Sequence, residues 1–87
     1  MLPPLEIHAD FEANAFEIRY RHLKRGTLID HDERVAASIS VGVDQCGNIV
    51  AIELLSLEPS VLADARAYAN SKGLAFPRDL AGLLATA

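Results

Sequence analysis

The sequence predicts an α+β domain, an antiparallel four-stranded β-meander with one C-terminal helix and a short terminal helix packed on one face. Three observations predict it. Between Leu5 and Leu54 the apolar residues recur at the period of two that strands show. Two short turn-forming stretches, Asp10-Phe11-Glu12-Ala13 and Asp44-Gln45-Cys46-Gly47, each sit between two such alternating runs, which is the pattern of a hairpin. Beyond Glu58-Pro59 the period changes to 3.6, and the domain divides into a β-meander over 5–57, a helix over 60–72 and a short helix over 77–84.

The first strand is Leu5-Glu6-Ile7-His8-Ala9, preceded by two prolines that suit the start of a strand. The second, Phe16-Glu17-Ile18-Arg19-Tyr20-Arg21-His22, turns Phe16, Ile18 and Tyr20 inward and Glu17, Arg19 and Arg21 outward. An even loop aligns the apolar faces of the two, with Ile7 opposite Phe16 and Leu5 opposite Ile18. Residues 24–33 are polar, contain Gly26 and the run Asp30-His31-Asp32-Glu33, and read as a loop with a short edge segment at Thr27-Leu28-Ile29.

The centre of the core is the hairpin from Ala37 to Leu55. Ile39, Val41 and Val43 precede its turn; Val50, Ile52 and Leu54 follow it. Asp44 favours the first turn position because its carboxylate can accept backbone N–H bonds, and Gly47 favours the last because φ > 0 carries no Cβ penalty there. A four-residue loop pairs Val43 with Asn48, Val41 with Val50, Ile39 with Ile52 and Ala37 with Leu54. A three-residue loop pairing Asp44 with Asn48 would set Ile39 against Glu53 and mix both faces, so the four-residue loop is the expectation. The second face then holds Ser38, Ser40, Gly42, Ile49, Ala51 and Glu53, and is either wet or modestly covered.

Ser60 is the expected N-cap of the helix, whose Val61, Leu62, Ala65, Tyr68 and Ala69 fall on one stripe. Gly73 is placed to end it as the C′ residue, with Leu74 making the accompanying apolar contact. Pro77 suits the first position of the short terminal helix, and Leu80, Leu83 and Leu84 need cover.

Composition narrows the function classes. Eighty-seven residues make one domain, and a chain of that length buries only about 60 to 65% of its unfolded surface, so added stability from oligomerisation is expected. A single Cys excludes an intramolecular disulfide, and the start Met1-Leu2-Pro3-Pro4 lacks a signal-peptide pattern, which points to the cytoplasm. No apolar run approaches the ~20 residues of a membrane span, so no membrane partner is expected. A net charge of -4 argues against a nucleic-acid partner, which would call for a basic face.

Two stretches, IHADFEANAFEIRY and VGVDQCGNIVAIELL, resemble the two blocks of the family catalogued as domain of unknown function 2283, a Tyr-Asp-x-x-x-Asp-Ala-x-Tyr-Ile type block and an Asp-x-x-Gly-x-x-x-Gly-Ile-Glu-Ile-Leu type block. Asp44, Gly47, Ile49, Val50, Ile52, Glu53 and Leu54 match the second, with Ala51 where the family usually has Gly. Asp10, Glu12, Ala13, Ala15 and Ile18 match the first, with Ala9, Asn14 and Glu17 departing from it. The resemblance covers roughly residues 5–57 and implies a small sheet plus helix. It implies no activity, since none is established for the family, although some relatives are encoded near putative toxins.

The residues that could carry chemistry are few. His8, His22 and His31 with Asp10, Asp30 and Asp32 are of metal-ligand type, but none has helical i, i+4 or Cys-paired spacing, so they read as surface residues and neither metal nor cofactor is expected. Cys46 has no adjoining base or cation to activate a thiolate and reads as a turn residue. Asp44 and Glu53 lie too far apart along the hairpin to work as an acid pair. Glu53 is the interior-strand carboxylate that could contact a ligand, or else a solvent-facing residue paired with Arg19 or Arg21. Arg19, Arg21, Lys24 and Arg25 form a basic cluster that could grip an acidic partner or simply be solvated.

The expectation is a noncatalytic interaction module, a homodimer or other homo-oligomer with a protein partner such as a toxin-like neighbour. The alternative is a small-molecule-binding protein or enzyme using Glu53 in a shallow site. A deep pocket enclosing Glu53 would separate the two.

Overall fold

The computed structural model describes residues 1–22, 29–80 and 82, which build strands β1 (Glu6–Asp10), β2 (Ala15–Arg19), β3 (His31–Ala36), β4 (Ile39–Val43) and β5 (Ile49–Leu54) and one helix, α1 (Pro59–Ser71). The α+β class is as expected; the strand count and order are not. The sheet has five antiparallel strands in the order β1-β2-β5-β4-β3, so it is a hairpin laid against a three-stranded meander rather than one continuous meander. The stretch His31–Ala36, whose first three residues were expected as loop, is the additional strand. Its charges hide it from an alternation test, and they also fit it for an edge, where unpaired backbone is protected by charged side chains. The apolar β5 takes the centre, against β2 on one side and β4 on the other. Of the expected edge segment 27–29, residues 27 and 28 lie outside the described residues.

Both hairpins slide by two residues and keep the expected faces except at Ile49, which pairs with Val43 and packs against the core instead of lying on the second face. Ile7 pairs with Ile18 and Ala9 with Phe16, not Ile7 with Phe16, because the turn runs through Phe11–Asn14. Asn14 closes it in the left-handed region at φ 51°, a conformation Asn tolerates. In the second hairpin the Asp44 N–H donates to the Asn48 carbonyl at 3.0 Å, so the turn is the three-residue loop that seemed to mix the faces. A β-bulge removes the conflict. Val43 pairs with Ile49, Gly42 already pairs with Ala51, and the extra residue Val50 restores the alternation, so that Val41 faces Ile52 and Ile39 faces Leu54.

One face of the sheet is covered by α1. Phe16, Ile18, Tyr20, Ile39, Val41, Val43, Ile52 and Leu54 pack there with Ala65 and Ala69, flanked by Val61, Leu62 and Tyr68 from the expected helical stripe. The helix begins one residue earlier than expected: Pro59 is in its first turn, Glu58 holds the cap position, and no side chain caps it, so Ser60 is not the N-cap. Its end is as expected. Gly73 at φ 73° donates to the Asn70 carbonyl, Leu74 donates to that of Ala69, and Leu74 is buried, the paired bonds and apolar contact of a Schellman motif.

The segment after the helix folds back onto the sheet. The Tyr20 hydroxyl donates to the Ala75 carbonyl at 2.8 Å, and burial pushes its pKa up to about 12. Leu2 bridges Leu74 in parallel, its N–H donating to the Gly73 carbonyl and its own carbonyl accepting from Ala75. Leu80 is buried in the same core, and residues 78–79 form a turn before it. Of the expected helix over 77–84, residues 81, 83 and 84 lie outside the described residues. No helix among the described residues is long and apolar enough to cross a membrane.

Candidate functional site

The sheet face away from α1 carries the polar chemistry. Paired residues in an antiparallel ladder share a face, so the pairs Glu6 with Arg19, His8 with Glu17, Asp10 with Ala15, Glu17 with Glu53 and Ser40 with Glu53 place all of these side chains together. His8, Asp10, Ala15, Glu17 and Glu53 line a shallow groove of about 270 Å³ across β1, β2 and β5. Glu17 and Glu53 are direct cross-strand partners, and two carboxylates in that relation repel. Arg19 moderates this from its own strand, with Nη2 at 2.9 Å and Nε at 3.1 Å from Glu17 Oε1.

Glu53 is thus placed opposite Ser40, and the pairing expected for Arg19 goes to Glu17 rather than to Glu53. Arg21 stands exposed beyond the end of β2, its N–H donating to the Val50 carbonyl. Lys24 and Arg25 lie outside the described residues. A carboxylate that serves as a general acid near neutral pH is normally one that its surroundings desolvate. Glu53 is exposed in a groove open to water, so the deep pocket that would favour small-molecule chemistry is not what encloses it.

The half-polar face is drier near its centre than its composition indicates. Ala51 is buried, at 4% exposure, and a Cβ on its partner Gly42 would lie 3.1 Å from Ile29 Cδ1, so Ile29 lies over Gly42.

The remaining titratable residues are at turns and edges. Asp44 Oδ1 accepts the N–H groups of Cys46 and Asn48, each at 2.9 Å, and these bonds, that from Asn48 foremost, hold its carboxyl below the ordinary 3.8. His31 lies between Asp30 at 2.8 Å and Glu33 at 3.3 Å, and these hydrogen bonds raise its pKa above the ordinary 6.5. His8 Nε2 lies 2.8 Å from Glu6 Oε2, a contact that lowers the pKa of Glu6. Cys46 is exposed in its turn. Among the described residues no three His, Cys, Asp or Glu side chains are arranged to hold a metal ion.

The surface feature that sequence reasoning missed is β3 as one of the two strands that end the sheet; the other, β1, was expected as the first strand. Among the described residues β1 and β3 each pair on one side only, and all of their residues but the half-buried Ile7 and Ala36 are exposed. Exposed apolar side chains accompany them: Leu5 before β1, Val35 within β3, and Phe11 and Leu55 at the turn end of β2 and β5. The alternation in Glu6-His8-Asp10 was readable, but its meaning depends on which strand lies beside it.

Comparison with models of protein families, with curated proteins and with solved structures found no match. The functional reading therefore rests on geometry.

Proposed function

We propose that this chain is a noncatalytic, homo-oligomeric protein-interaction module, a homodimer in its simplest form. The observation that supports it is an open sheet terminated on both sides by exposed strands, with Leu5, Phe11, Val35 and Leu55 exposed around them. Unpaired strand edges are templates for another chain, and a small domain gains stability by mass action when a second copy covers them. The resemblance to the domain of unknown function 2283 family fits a part without an activity of its own, and a toxin-like neighbour is the further partner it implies.

A small-molecule ligand would occupy the groove beside Glu53. Its shallowness and the exposure of Glu53 favour the interaction module. Static light scattering over a micromolar concentration series tests the proposal: the expected mass is near a multiple of the 9.4 kDa of one chain, and a mass of one chain at every concentration rejects it.

A further inference from the structure

We propose that two copies of this chain pair edge to edge through β1, antiparallel, about a two-fold axis at Ile7. This rests on the homo-oligomeric reading and names its surface.

The backbone directions follow from one hydrogen bond. The Tyr20 N–H donates to the Val50 carbonyl at 2.8 Å, continuing the β2–β5 register, so the main-chain groups of Phe16, Ile18 and Tyr20 point at β5. Directions alternate along a strand, so those of Ala15, Glu17 and Arg19 point at β1, where Asp10, His8 and Glu6 answer them. The N–H and C=O groups of Ile7 and Ala9 consequently face away from the sheet. By the same alternation Ile7 and Ala9 offer a second chain a short ladder, which ends where the Leu5 N–H turns inward to the Arg19 carbonyl at 2.7 Å.

The other edge is less suited to a copy of itself. β3 runs His31-Asp32-Glu33-Arg34, four polar residues in succession, all exposed, with a register irregularity between Arg34 and Ala36. Charge and irregularity are both means by which edges refuse partners.

The choice of axis follows from charge. An axis at His8 would set Glu6 opposite the partner's Asp10, carboxylate against carboxylate. An axis at Ile7 sets Glu6 opposite the partner's His8 and Leu5 opposite the partner's Ala9. Leu5, 47% exposed in one chain, is then covered by the second. Glu6 already lies beside the His8 of its own strand at 2.8 Å. Two-fold symmetry would assemble Glu6, His8, the partner's Glu6 and the partner's His8 into one alternating ring on the open face of a continuous ten-stranded sheet.

Sedimentation equilibrium of the full chain tests this with three variants. His8→Glu places carboxylates opposite the partner's Glu6, and the symmetry counts each change twice, so dimerisation weakens by about tenfold or more. Adding Glu6→Lys to His8→Glu swaps the charges and restores an affinity close to that of the parent. Ala9→Pro removes an outward N–H without changing charge and weakens the dimer independently. Circular dichroism confirms that each variant folds. An oligomer indifferent to His8→Glu and Ala9→Pro, or one that the double variant fails to restore, overturns the β1 surface and leaves the homo-oligomer intact. A chain that is monomeric throughout overturns both.

Discussion

The two faces of the sheet are made from the same strands and meet opposite fates. On the covered face, Ile18, Ile52 and Leu54 have no accessible surface, because α1 and the segment through Leu74 and Leu80 lie over them. On the other, Glu17, Arg19, Ser40 and Glu53 keep contact with water, while Ala51 among them does not. The difference teaches that burial follows cover and strand neighbours more closely than local composition. Ala51 is a small residue between polar ones, yet it lies in the centre of the sheet with Gly42 and Arg19 on either side and Ile29 above Gly42.

The sharpest way to break this contrast is Ile52→Ala. Truncation of a fully buried side chain in the central strand should lower stability by about 2 to 5 kcal/mol in urea unfolding. A loss under about 1 kcal/mol would show that the α1-covered face is not the main core. Ala51→Ser probes the other face. A wet face would make it neutral; the burial of Ala51 gives an expected cost of about 1 to 2 kcal/mol, from a hydroxyl taken out of water.

Where the faces meet at the β4–β5 turn, acid should separate a structural carboxylate from a surface one. The pKa of Asp44 is lowered in the folded chain, so its contribution is present above the unfolded value and lost as pH falls through the lower folded one. Asp44→Asn is therefore less stable than the parent at pH 7, and the gap in melting temperature narrows in strong acid. His31 works in the reverse direction. Its raised pKa makes its contribution fully present below the ordinary 6.5 and lost as pH rises through the folded value, so His31→Gln narrows the gap on the alkaline side. Glu53→Gln should have the smallest effect, within about 0.5 kcal/mol and toward greater stability, because it relieves the facing Glu17 in a solvated groove. A large loss would mean that Glu53 holds a structural bond.

Much of this was legible in the chain. The alternation in Phe16-Glu17-Ile18 and in Ile39 to Val43 assigned side chains to the correct faces, because face depends only on parity. Register was not legible, since steps of two preserve parity; the choice was made by Asn14 at φ 51° and by the Val50 bulge, neither of which has an apolar signature. Strand order was lost for a similar reason. His31–Ala36 carries its pairing in its backbone and its charges in its side chains, and a pattern of hydrophobicity reads only the second. Of the candidate site residues, Glu53 was placed on the open face from sequence, whereas its meeting with His8, Asp10 and Glu17 required the contact of β2 with β5, a pairing between strands that are not neighbours in the chain.

That same pairing imposes a delay during synthesis. β3, β4 and β5 follow one another and can zip as local hairpins, but β2 waits for β5, the last strand to be made. At ~5–20 residues per second the ribosome takes about two to seven seconds to go from the end of β2 to the end of β5. Through that interval Phe16, Ile18 and Tyr20 lack the strand that will stand beside them, and the nascent β1–β2 hairpin has apolar surface to offer to whatever is near the tunnel exit.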